Sequence, residues 1–151
     1  MSEKRPPPAP FTTETVWNAG LAGTGAAGEG RSLLVGHEGE WVPEHLVLLA
    51  AESCFMSALL RLLADAGIEV LGYVSNGQLQ VSDDAHQGPS VTLLPCVVVA
   101  SAEAAEQLTR LGEEAKRASV VARLLGDRLR VTLDVQTISC PIDAAAANET
   151  D

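Results

Sequence analysis

The sequence is poor in aromatic residues, in basic residues and in closely spaced metal ligands. Only 5 of the 151 residues are aromatic, so the core has to be built from aliphatic side chains. Asp and Glu number 20 against 10 Lys and Arg, and the formal net charge is -10. Nucleic acids and anionic membrane surfaces bind basic footprints, so we expect neither as a partner. No Cys-x-x-Cys or His-x-x-x-His pair occurs, and we expect no metal and no cofactor.

The cysteines are few and far apart. They stand at Cys54, Cys96 and Cys140, too distant in sequence to suggest a disulfide framework. The chain starts MSEKRPPPAP, with prolines where a signal peptide would have an apolar run. These features predict a soluble cytoplasmic protein with free thiols.

Length and composition predict one globular domain. A chain of 151 residues with 46% hydrophobic residues is long enough to bury a real core. Residues 1–11 and 140–151 lack any apolar pattern, and we expect a disordered arm and a disordered tail there. The domain is therefore predicted over residues 12–139.

A glycine-rich stretch precedes the apolar part of the chain. Gly20 to Gly30 reads GLAGTGAAGEG, but a dinucleotide-binding fingerprint would need a buried strand before it and a helix after it. The following RSLLVGHEG instead has the pattern of a strand and a turn. We expect a flexible hairpin loop rather than a phosphate site.

One long helix dominates the pattern. Pro43 suits the first helical turn, Glu44 suits the positive end of the helix dipole, and Gly67 is a natural stop. Its few polar residues recur at steps of four, as Ser53, Ser57, Arg61 and Asp65. Such an apolar helix is buried in a core or a subunit interface, and Glu52 and Arg61 argue against a membrane span.

The remaining segments alternate between strands and helices. Strands are predicted around Val70–Val81, with Asn76-Gly77 a hairpin turn or a bulge, and in VTLLPCVVVA, where Pro95 suggests an edge or a bulge. Ser101 can cap a second helix, and VVARLLG is a short third one. An antiparallel strand follows from Leu129 to Val135. The predicted class is α+β, with the long helix packed against antiparallel sheet.

Cys54 is the first candidate for chemistry. It lies in the long helix, two turns from Arg61, and a guanidinium favours the reactive thiolate whereas apolar burial favours the inert thiol. From spacing alone it is either a core thiol or a nucleophile. Cys96 and Cys140 have no such neighbour, and His37, His45 and His86 have no partner at ligand spacing.

The segment WVPEHLVLLAAESCFMSALLRLLADAGIEV resembles the signature of the OsmC/Ohr family, the osmotically inducible and organic hydroperoxide resistance proteins. The likeness extends from about Thr12 to Ile138 and includes AKRASVVARLLG, which is similar to the family's second-cysteine motif. It implies an intertwined homodimer in which two sheets flank the central helices. It also implies that Asn76-Gly77 is a bulge in one long strand.

The resemblance further implies thiol-based reduction of organic hydroperoxides. It places the peroxidatic cysteine at Cys54 and the resolving position at Ser119, which cannot form the family's disulfide. The family's Pro-Glu glutamate falls on Glu44, whose arginine partner would fall on Leu21, with Arg31 a candidate substitute.

These departures predict a diverged stress or detoxification protein with weak or lost peroxidase turnover. Without the arginine, we expect the pKa of Cys54 to lie closer to that of an ordinary thiol. The alternative is a non-enzymatic protein that binds a hydrophobic, lipid-like molecule in a pocket around Cys54.

Overall fold

The computed structural model describes residues 11–27, 30–38, 40–82 and 88–138. The predicted tail lies outside the described residues, as do His86, Cys140 and nearly all of the predicted arm. The chain forms two compact units, Met1–Leu46 and Val47–Asp151. Their boundary falls inside the first helix, and the single domain over residues 12–139 stays a prediction.

The first unit contains a three-stranded antiparallel sheet. Its strands follow chain order: β1 (Glu14–Ala19), β2 (Ala22–Ala26) and β3 (Leu33–Gly36). The prediction of a flexible loop over the glycine-rich stretch was therefore wrong, because β2 lies in it and pairs with both neighbours. A Cβ added to Gly23 would lie 2.9 Å from the Val16 carbonyl oxygen, so the glycine permits close packing inside the strand.

The predicted long helix is confirmed as α1 (Pro43–Asp65). It ends in a Schellman motif: Ile68 N–H donates to the Leu63 carbonyl at 2.9 Å, and Gly67 N–H donates to that of Ala64 at 3.0 Å. Gly67 has φ +69°, which a glycine adopts without steric cost. Four residues at steps of four form its buried stripe: Ala51, Phe55, Leu59 and Leu63. The predicted polar stripe from Ser53 to Asp65 is exposed.

The second unit contains a four-stranded mixed sheet and two further helices. Its elements are β4 (Val70–Gln80), β5 (Ser90–Val99), α2 (Ala102–Ala118), α3 (Val120–Leu125), β6 (Leu129–Val131) and β7 (Asp134–Thr137). β5 pairs with β4 antiparallel on one side and with β6 and β7 in parallel on the other. The α+β class is confirmed. The last segment, however, forms two short parallel strands instead of one antiparallel strand, because α2 and α3 carry the chain back to the start of β5.

β4 is one long strand, but its irregularity is not at Asn76-Gly77. The register with β5 shifts between Val70 and Gly72 and runs without a shift through Asn76 and Gly77. A Cβ on Gly77 would lie 3.1 Å from Cδ of Glu52 and 3.2 Å from Cδ2 of Leu48. Gly77 therefore makes room for side chains of α1, and the bulge predicted there is wrong.

Pro95 lies in the central strand and not at an edge. On one side it stands opposite Ser75 of β4. On the other side β6 pairs with residues up to Leu93, and β7 begins pairing at Cys96. Proline has no N–H to donate to a ladder, and it falls where the neighbouring strand is interrupted.

Both predicted shorter helices are confirmed, and each has a serine cap. The Ser101 hydroxyl accepts the Ala104 N–H at 3.1 Å at the start of α2. The Ser119 hydroxyl accepts the Ala122 N–H at 3.2 Å at the start of α3. α3 then ends at Gly126, which has φ 56°. Ser119 separates the two helices, because it ends α2 and begins α3.

The buried stripe of α1 shares one core with β5 and α2. Leu59, Leu93 and Leu108 are all fully buried in it. We expect Leu59→Ala to lower the free energy of unfolding by about 2–5 kcal/mol, because the surrounding core cannot fully close the cavity. The measurement is chemical denaturation beside Leu124→Ala, the same change at a residue that is 79% exposed. Equal losses for the two variants would contradict this packing.

Candidate functional site

Cys54 lies half-buried in the middle of α1, on the side that meets the start of α3. Burial raises the pKa of its thiol. The Ser119 hydroxyl, the backbone N–H groups of Val121 and Val120 and the charge of Arg123 lower it, and the net direction is down from the ordinary value. The expectation of a near-ordinary pKa for Cys54 was wrong. Hydrogen-bond donors on α3 lower this pKa, which is the effect that the missing arginine was expected to have.

The structure brings Ser119 to Cys54, as the two-motif resemblance implied. Ser119 is 1% exposed and is a buried polar residue beside an apolar core. Its backbone N–H donates to the Ala115 carbonyl at 2.8 Å, and its own carbonyl accepts the Arg123 N–H at 3.1 Å. These bonds fix the position of its side chain next to the thiol.

The guanidinium that acts on Cys54 is that of Arg123 and not that of Arg61. Both side chains are exposed, but Arg123 belongs to the helix whose start faces the thiol. Arg123 is not among the residues predicted from the sequence, because the resemblance assigns only the resolving position, Ser119, within the second motif. The signal that could have found it is its position, four residues after Ser119 in that motif.

The environment of Cys96 is the opposite of that of Cys54. Partial burial raises its pKa, and hydrogen bonding to Asp134 and the charge of that carboxylate raise it further. Asp134 stands opposite Cys96 in the pairing of β5 with β7. A thiol held neutral in this way is a poor nucleophile.

The predicted partners Glu44, Leu21 and Arg31 all belong to the first unit. Glu44 lies half-buried in the first turn of α1. Leu21 follows the β1–β2 turn, where its backbone N–H donates to Oε2 of Glu38 at 2.8 Å, and its side chain is 63% exposed. Arg110–Glu114 is the one ion pair within the described ranges, so Arg31 and Glu44 are not paired in this structure.

Arg31 borders a groove within the first unit. The groove has a volume of about 240 Å³. Apolar residues form much of it, among them Ala26, Leu33, Val35 and Leu46. An apolar groove beside a guanidinium suits a molecule that is largely hydrophobic. Across residues 11–138, leaving aside the undescribed positions, no three His, Cys, Asp or Glu side chains cluster as metal ligands.

Comparison with family models identifies the class of the protein. Residues 36–134 match the model of the OsmC-like proteins, which is well over half of the chain. The protein therefore belongs to the OsmC family. The comparison with curated proteins finds no match.

Solved structures share the fold at low sequence identity. An OsmC-like protein of unknown function from Vibrio cholerae has a TM-score of 0.72 at 18% identity, covering 83% of this chain and 99% of its own. An organic hydroperoxide resistance protein from Elizabethkingia anophelis has a TM-score of 0.66 at 18% identity, with coverages of 88% and 99%. For OhrB of Bacillus subtilis the TM-score is 0.60 at 19% identity, with coverages of 83% and 98%. These likenesses establish the OsmC/Ohr fold.

By length and composition α1 could also cross a membrane. Its most apolar window has a mean hydropathy of 1.9 and is 22% buried. One such helix is weak evidence for a membrane protein, because core helices of soluble proteins have the same composition. In this chain α1 buries its stripe of Ala51, Phe55, Leu59 and Leu63 in the core of the second unit.

We expect iodoacetamide to modify Cys54 faster than Cys96 at neutral pH. A lower pKa gives a larger thiolate fraction at that pH, and this gain exceeds the accompanying fall in intrinsic nucleophilicity. Peptide mass spectrometry at short reaction times measures both sites. Labelling of the unfolded chain, where both thiols react alike, is the control, and faster labelling of Cys96 in the folded protein would show the assignment to be wrong.

Proposed function

We propose that this protein is a thiol-dependent stress or detoxification protein that reduces organic hydroperoxides slowly at Cys54. The observation that carries the proposal is the set of groups on α3 that lower the pKa of this thiol against the effect of burial. Family membership and structural neighbours named for organic hydroperoxide resistance support it. The proposal includes a cytoplasmic location and no nucleic acid or membrane partner, and the formal net charge of -10 supports the absence of such a partner.

The reaction has two stages. The Cys54 thiolate attacks the O–O bond, takes the terminal hydroxyl group and becomes a sulfenic acid, while the alkoxide takes a proton from water and leaves as the alcohol. A dithiol reductant then attacks the sulfenic sulfur, releasing water and forming a mixed disulfide. Its second thiol displaces the Cys54 thiolate and becomes a cyclic disulfide. Turnover is slow because Ser119 cannot capture the sulfenic acid within the chain.

We also propose that Glu44 and Arg31 pair when the site is assembled. Both charges lie in the first unit, and Arg31 stands beside an apolar groove. In the absence of that pair, Glu44 would serve only the dipole of α1, which is worth about 0.3–1 kcal/mol.

The assembly that we propose is an intertwined homodimer. α1 exposes Val47 and Leu49, which are 41% and 46% accessible, despite its apolar composition. β4 is 11 residues long and, within the described part, pairs on one side only. Unpaired strand edges and apolar helix faces are surfaces that a second copy can cover.

Our test of activity is consumption of an alkyl hydroperoxide in the presence of a dithiol. We expect slow consumption by the protein and background consumption by Cys54→Ser, because the nucleophile is then lost. Cys96→Ser is the matched control and should keep the activity. Consumption that survives in Cys54→Ser would contradict the proposal.

Ser119→Cys extends the same test. With the two Cα atoms within about 7 Å, the new thiol should form a disulfide with Cys54 after oxidation. The variant should then show a mass loss of two hydrogens, and the natural chain should not. An internal disulfide in the natural chain would place the resolving thiol elsewhere.

Assembly is tested by light scattering at low concentration. We expect twice the 15.8 kDa chain mass, since an obligate interface buries well over roughly 2,000 Å². Leu49→Glu should give monomer or unfolded chain, because it places a charge on the apolar face of α1. Leu124→Glu, on an α3 residue that is 79% exposed and lies outside the surfaces proposed for the interface, should leave the mass unchanged. A stable folded monomer of the natural chain would refute the dimer.

The predicted alternative is the binding of a hydrophobic small molecule around Cys54 without catalysis. The observation that favours binding lies elsewhere, in the apolar groove beside Arg31 in the first unit. Native mass spectrometry distinguishes the two. A retained lipid-like molecule together with no hydroperoxide consumption would favour binding. Consumption that depends on Cys54 would favour the enzyme.

A further inference from the structure

The position of Ser119 between α2 and α3 explains most of the hydrogen bonds that the residue makes. A hydroxyl group has one proton to donate and two lone pairs that accept. One acceptor position takes the Ala122 N–H at 3.2 Å. Because the residue is 1% exposed, solvent does not reach the hydroxyl, and its proton requires an acceptor inside the protein. The Cys54 thiol is a hydrogen-bonding neighbour of this hydroxyl.

Building on the function proposed above, we propose that Ser119 is a positioning residue that donates its hydroxyl proton to Sγ of Cys54 and so favours the thiolate over the thiol. The chain then works with one cysteine, and an external dithiol supplies both reducing electrons. In this role the serine at the family's resolving position supports the first chemical step and leaves the second to the reductant.

The difference between a serine and a cysteine side chain at position 119 supports this positioning role in place of the resolving role. A serine hydroxyl is a good hydrogen-bond donor, whereas a cysteine thiol is a weak one. Among the groups that lower the pKa of Cys54, the Ser119 hydroxyl has the largest effect, and Arg123 adds a positive charge on the same side. The hydrogen bonds of Ser119 to Ala115 and Ala122 hold the donor in place. A fixed donor is worth more to a developing charge than a mobile one.

The experiment measures Cys54 alkylation against pH in a chain that also carries Cys96→Ser and Cys140→Ser, so that Cys54 is its remaining thiol. We expect Ser119→Ala to move the midpoint of the profile to higher pH. The rate at neutral pH should fall about tenfold, equivalent to about 1.4 kcal/mol. Ser119→Thr keeps the hydroxyl and should retain most of the rate.

Ser101→Ala is the matched control. Ser101 caps α2 through a 3.1 Å bond from the Ala104 N–H, and its loss removes the same kind of cap, worth about 1 kcal/mol. It should lower stability as Ser119→Ala does and leave the alkylation profile unchanged. If Ser119→Ala does not fold, Ser119→Cys replaces it, with the Cys54 adduct measured by peptide mass, and its weaker donor should also move the midpoint upward.

An unchanged profile in folded Ser119→Ala would show that Ser119 is a helix cap only, and the proposal would be wrong. An equal shift in Ser101→Ala would overturn it as well. The readout does not need a hydroperoxide, so it separates the two proposals. A natural chain with no hydroperoxide consumption but a profile that depends on Ser119 would contradict the function and support the positioning role.

Discussion

Burial of one stripe of α1 against β5 and α2 is the interaction on which the rest of the second unit depends. The stripe repeats every four residues from Ala51 to Leu63 and shares its core with Leu93 and Leu108. Since the sequence has few aromatic residues, this aliphatic packing supplies most of the apolar burial, at about 25 cal/mol per Å². Cys54 stands beside Phe55 of that stripe, so the core also sets which way the thiol faces.

The same packing explains the positions of two residues that would otherwise weaken a sheet. Gly77 leaves room for the α1 side chains that cross β4, and Pro95 falls in the gap between β6 and β7. The parallel neighbour of β5 is divided into β6 and β7, and the gap between them lies beside Pro95, where β5 has no N–H to donate. Local irregularities in this sheet therefore follow from what packs or pairs next to them.

Sequence reasoning predicted the elements that carry strong local signals. α1, with Pro43 at its start and Gly67 after its end, and the Ser101 cap of α2 were predicted from local chemistry that acts within a few residues, whereas the Ser119 cap of α3 was not predicted. It failed where tertiary pairing decides, as in the glycine-rich β2 and the parallel β6 and β7. For the site, the resemblance related Cys54 to Ser119. The position of Arg123, four residues after Ser119, marks it as part of the same motif, but its effect on Cys54 depends on how α3 meets α1.

The electrostatics of the site are a balance between the core and the start of a short helix. Apolar packing around Cys54 favours the neutral thiol, and the donors on α3 favour the thiolate. Cys96 has a carboxylate where Cys54 has donors and a guanidinium, and its pKa moves the other way. Two thiols of similar partial burial thus have pKa values shifted in opposite directions by their neighbours. Because those neighbours belong to α3, the reactivity of Cys54 depends on the junction at Ser119 that holds α2 and α3 together.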